Sequence, residues 1–71
     1  MQFSSESDKQ IAVAQLGAAL EQLNDAKRLM RFDLGKDNKE DRREHYEIMD
    51  AILAVDRVRA AAQRVLVGEP A

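Results

Sequence analysis

The sequence predicts an all-α protein: an antiparallel helical hairpin that pairs with a second copy into a four-helix bundle. Three observations predict it. Two long stretches carry apolar residues at helical spacing, one short polar segment with a glycine separates them, and the chain is too short to bury a comfortable core alone. Nothing suggests a strand or a second domain, so residues 1–71 read as one helical-hairpin domain.

The first helix is expected over about residues 8–32. Ser7 followed three positions later by Gln10 fits a capping box, in which side chains satisfy the first unpaired amides. Good helix formers follow, and Gly17 weakens the helix by about 1 kcal/mol relative to alanine without breaking it. Ala12, Leu16, Ala19, Leu23, Ala26 and Met30 step alternately by four and three, the a/d spacing of a packed seam, with Val13 and Leu20 widening the stripe. Lys27, Arg28 and Arg31 lie where cations complement the helix dipole.

Residues 33–37 form the expected turn. Gly35 is the natural stop, because glycine reaches the left-handed cap conformation cheaply. Asp37 with Glu40, or Asn38 with Asp41, caps a second helix over about residues 38–67. Its seam is Ile48, Ala51, Val55, Val58, Ala62 and Val65, flanked by Ile52 and Leu66, and Gly68 and Pro70 end it.

A lone hairpin of such helices leaves half of each large seam residue wet. Without cysteine there are no disulfides or thiolate metal sites to add stability, so self-association is the route left. A homodimer closing a four-helix bundle is expected. Small and large residues alternate along Ala12, Leu16, Ala19, Leu23 and Ala26, and this resembles the layered core of Rop-type proteins, small plasmid-copy-number regulators that dimerise as helical hairpins.

Composition excludes several function classes. The net charge is −2, unlike the basic balance of a dedicated nucleic-acid binder. No run approaches the roughly 18 apolar residues of a membrane span, and the opening residues lack a signal-peptide pattern. A cytoplasmic location in a bacterial host is the expectation. Direct nucleic-acid binding is not expected, because Lys39, Arg42 and Arg43, and Arg57, Arg59 and Arg64, are interleaved with acids as on a salt-bridged helix surface.

The segment RREHYEIM, residues 42–49, holds the only histidine and the only tyrosine. As an active site it lacks partners: His45 has no cysteine to activate and no serine within its own helix. No catalysis is expected. A twelve-residue calcium loop counted from Asp33 places Asp37, Asp41 and Glu44 at ligand positions, but Gly35 stands where a ligand is required and Asn38 where the turn glycine belongs. No metal and no cofactor are expected.

A protein-binding surface remains. Leu29, Phe32, Tyr46, Met49 and Leu53 are apolar residues off the seams and near the turn, and Arg42, Arg43 and His45 would supply a polar rim. Two uses stay open for this patch, the dimer interface and an external partner site.

In size, two-helix plan and the aromatic Tyr46 early in the second helix, the chain resembles phage-encoded quorum-sensing anti-activators. Members of that group bind a host LuxR-type transcription factor, with a pilus assembly ATPase as a further target. The resemblance implies a small inhibitor or adaptor that occludes a host regulator. The alternatives are a Rop-like nucleic-acid-associated regulator and a structural or antitoxin-like subunit.

Overall fold

Two helices, α1 (Glu6–Leu29) and α2 (Lys39–Arg64), pack side by side in the computed structural model, which describes residues 1–68. They run antiparallel: Lys9 near the start of α1 reaches Val65 beyond the end of α2, and Phe32 after α1 meets His45 early in α2. No strand occurs among the described residues.

Three of the four boundaries lie two or three residues from their expected places, for identifiable reasons, and α2 starts as expected. α1 begins earlier because Ser5 is the cap; its backbone is extended (φ −153°, ψ 163°) and its hydroxyl accepts from the Asp8 amide at 3.1 Å. Ser7 lies inside the first turn, beside Glu6 and Asp8, whose charges suit that end of the dipole. α1 ends earlier too, at Leu29. Met30 turns extended, with its amide still bonded to the Ala26 carbonyl at 3.0 Å. Gly35 is therefore not a left-handed helix cap, and no described glycine has positive φ.

The reason is a non-local claim on the chain. The Asp33 amide donates to the Asp41 carboxylate at 2.8 Å, and the Phe32 ring packs edge-on to His45 with centroids 5.4 Å apart. Both interactions draw the chain off the helical path toward α2. The turn then closes on itself: the Asp33 carboxylate accepts from the Gly35 amide at 3.0 Å, and the Gly35 carbonyl accepts from the Asn38 amide at 3.2 Å. Asn38, not Asp37, caps α2 by accepting from the Asp41 amide at 3.2 Å. At the far end α2 stops at Arg64, short of Gly68, while Pro70 lies outside the described residues. The Lys9 ammonium donates to the Val65 carbonyl at 2.8 Å, placing a cation at the negative end of the α2 dipole.

The core is thin. Only Leu20 and Ala62 among the described residues are buried, with 8% and 1% of their surface exposed. Around them Val13, Leu16, Leu23, Ile48, Ile52 and Val55 are half-buried. On a helical wheel this set centres near Leu20 in α1 and near Ile48 in α2, roughly 60° and 45° from the centres of the respective predicted seams. Ala26, Met30, Ala51 and Val58 of the predicted seams are exposed, Met30 at 43% and Val58 at 45%. The periodicity located the apolar stripes, and the stripes face partly past the other helix, not squarely into it.

The hairpin spans 55 × 19 × 12 Å, so it is one helix thick. Its radius of gyration is 16.4 Å, against about 11 Å for a globular chain of this length. Its accessible surface is 5738 Å², against roughly 4,450 Å² for a folded monomer of its mass.

Two substitutions test this packing. Gly17 has helical backbone, and an added Cβ would meet the Arg59 Nη1 at 3.7 Å, an ordinary contact. Gly17→Ala should therefore raise stability by about 0.5–1 kcal/mol, seen as a rise of several degrees in the thermal midpoint; an unchanged or lowered midpoint would contradict the packing of Arg59 over this helix. Lys9→Met should remove the Val65 contact, cost about 1 kcal/mol and speed amide exchange in the last turn of α2 before the rest of the helix.

Candidate protein-interaction surface

A one-helix-thick hairpin has two broad flanks, and here their chemistry differs. One holds a shallow groove between the helices, lined on α1 by Ala14, Gly17, Ala18, Glu21 and Asn24 and on α2 by Ile52, Leu53, Asp56 and Arg59. Small residues at Ala14, Gly17 and Ala18 leave the α1 wall low. Across it, the Arg59 guanidinium lies over Gly17 and pairs with Asp56 at 3.3 Å. Arg59 is half-buried, so its stem covers apolar surface while its charge stays partnered.

From the groove a stripe continues along α2 toward the turn. Leu53, Met49, Tyr46 and Arg42 step by four, three and four, and so share a side of the helix. Leu53 is 47% exposed and Tyr46 65%, whereas Met49 is half-buried. These three belong to the predicted patch and lie on one flank.

The other members are placed differently. Leu29 is 84% exposed, and on the wheel it points about 180° from Leu20, onto the back of α1 away from α2. Phe32 is half-buried and sits edge-on to His45, which is itself half-buried between the Phe32 and Tyr46 rings, at 5.4 and 5.9 Å. The His45 Nδ1 is shielded from solvent with no hydrogen-bond partner among the described residues. Phe32 and His45 thus form a small aromatic support beneath Tyr46.

Of the predicted rim, Arg42 is half-buried and donates through Nη2 to the Lys36 carbonyl at 3.1 Å, so it ties the turn to α2. Arg43 is exposed and lies 3.8 Å from Glu47 on the same helix, a solvent-screened pair worth a few tenths of a kcal/mol, about 0.3–0.5. The carboxylates weighed as calcium ligands hold backbone instead: Asp41 accepts from the Asp33 amide and Asp33 from the Gly35 amide. Among the described residues no three histidine or acidic side chains converge as metal ligands.

Ile11 and Leu34 are also exposed, at 53% and 54%, and Leu66, expected beside the second seam, is 89% exposed beyond the end of α2. Periodicity did not single out Leu34, because a turn residue has no helical phase. Ile11 lies about 180° from Leu20 on the α1 wheel, the same back surface as Leu29, so its outward position was legible in the spacing although only Leu29 was singled out. No helix is long and apolar enough to cross a membrane among the described residues.

The Asp41 clamp predicts a local effect. Asp41→Ala should cost about 1–2 kcal/mol by freeing the Asp33 amide and removing an acid from the first turn of α2. Amide exchange at residues 31–36 should accelerate while the middle of α1 is unaffected; uniform acceleration along both helices would show that the clamp governs global stability and not the turn. Comparison with family models, with curated proteins and with solved structures returns no match for the chain.

Proposed function

We propose that the protein is a small protein-binding module, an inhibitor or adaptor, that works as a homodimer and presents the stripe Tyr46, Met49 and Leu53 to another protein. The observation that carries this reading is the grouping of two well-exposed large side chains, Tyr46 and Leu53, beside a groove whose α1 wall is built from small residues. Exposed aromatic and aliphatic anchors beside a receptive groove are the usual makings of a binding hot spot. The charges around them, Asp56 and Arg59 in the groove and Arg43 at the turn, suit a polar rim that selects a partner more than it binds one.

The action proposed is occlusion. A rigid hairpin pressed onto a regulator would block the surface that regulator needs, with no chemistry performed. A phage-encoded protein acting on a host quorum-sensing transcription factor in the bacterial cytoplasm is the specific setting proposed, on the strength of size, the two-helix plan and Tyr46. Phe32 takes a supporting place in this reading, beneath Tyr46 through His45, and Leu29 lies outside the surface.

The test is retention of a purified LuxR-type transcription factor on the tagged protein, comparing wild type with Tyr46→Ala/Leu53→Asp. Wild type should retain the factor, and the double variant should retain at least tenfold less while keeping its circular dichroism. Retention unaffected by the double substitution would remove the stripe from the binding site. Absence of retention by wild type would remove this class of target.

A further inference from the structure

We infer that the flank opposite the groove is covered by a second copy of this chain, through Ala12, Ala19, Ala26 and Met30 of α1 and Ala51 and Val58 of α2. The inference rests on the homodimer reading above and adds the face, which that reading leaves open.

Four observations carry it. First, the two predicted seams are offset from the hairpin's own contact in the same sense. With α1 and α2 antiparallel, rotation away from the groove brings Ala19 of one helix and Ala51 and Val58 of the other to the same side. An a/d stripe that points between a neighbouring helix and open space is what a helix in a four-helix bundle carries, because the bundle axis lies between its two neighbours.

Second, the two flanks differ in charge. The groove side bears Glu21, Asp56 and Arg59. The opposite side has no charged residue at its seam positions from Ala12 to Met30 on α1 or from Ile48 to Ala62 on α2. A face uncharged between these limits, with Glu44 one turn before Ile48 at its turn end, needs little matching pattern on its partner and can pair with its own copy about a two-fold axis.

Third, large and small residues compensate across the middle of the flank, from Ala19 to Ala26. The Lys9–Val65 bond and the approach of Arg59 to Gly17 set the register of the helices. That register brings Leu23 to about the level of Ala51 and Ala26 to about the level of Ile48. Ala19 similarly lies near the level of Val55. Each of these levels offers one knob and one hollow, the arrangement that lets layers of two hairpins interdigitate.

Fourth, the area fits. The surface in excess of a globular monomer is about 1,300 Å² per chain, or roughly 2,600 Å² for a pair, within the range of obligate homodimer interfaces. A small partner burying only a few hundred square ångströms would leave most of that excess uncovered.

The chain contains no cysteine, so single thiols can be placed without background. Ala19→Cys and Ala51→Cys put thiols on the proposed face, and Leu29→Cys puts one on the exposed back of α1. At concentrations where light scattering reports a dimer, maleimide should label the two face thiols at least tenfold more slowly than the Leu29 thiol, and dilution should narrow the gap. A charged variant, Ala19→Glu/Val58→Glu, should shift the mass from dimer to monomer, whereas Tyr46→Ala/Leu53→Asp should leave the dimer intact. Equal labelling at all three positions in a dimer, or a dimer lost through Tyr46 and Leu53 instead, would overturn the face while keeping the dimer. A wild-type chain that is monomeric at every concentration tested would overturn the face and the homodimer together, leaving the partner-binding reading to its own test.

Discussion

The structure depends on one narrow line of contact between α1 and α2. Leu20 and Ala62 are its only buried members among the described residues, and the rest of the line is half wet. That constraint follows from geometry. Two helices meeting along their lengths each bury one edge, and a body 12 Å thick has no interior beyond that edge. Local devices therefore carry unusual weight: the Ser5 and Asn38 caps, the Lys9 contact at the open end, and the Asp33–Asp41 clamp at the closed end.

The same constraint divides the surface into two flanks of different chemistry. A side chain within about 60° of the contact line is shared between core and flank, and its chemistry decides which flank is apolar. On the groove side the shared positions include Asn24 and Arg59, while on the other they are Leu16, Leu23, Val55 and Ala62. On the proposed reading, one flank would pair with a second copy and the other would face a partner. Two residues weighed as part of the interaction surface contribute in other ways. Arg42 holds the turn, and Phe32 props His45 beneath Tyr46.

Much of this was legible in the sequence. Uninterrupted helix formers at a/d spacing specify two helices, and Asn38 three residues before Asp41 was one of two caps offered. The order of the helices around a short polar turn fixes the hairpin. What the sequence did not disclose depends on contacts between residues far apart along the chain. Gly35 looks like a helix stop, but the actual stop is made by Asp41 reaching back to the Asp33 amide, and no local pattern announces it. An a/d stripe likewise defines an apolar direction without saying whether a neighbour covers its centre or its edge. Hence Ala26, Met30, Ala51 and Val58 read as seam and stand exposed in the hairpin. Leu29 was grouped with Tyr46 because both lie off the seams near the turn, but nearness along the axis does not imply a shared side.

The two ends of the hairpin also differ in the length of chain each contact encloses. At the closed end the Asp33–Asp41 bond spans eight positions, and Arg42 reaches Lys36 across six. At the open end the Lys9–Val65 bond spans 56. Closing the longer loop costs more chain entropy, by about 1.7 kcal/mol from the logarithmic dependence on length. The closed end can thus organise first from the residues of the turn and the opening of α2, with the helices zipping away from it. The last contact to form on that route is Lys9 with Val65, and it is also the first to open when the chain loosens.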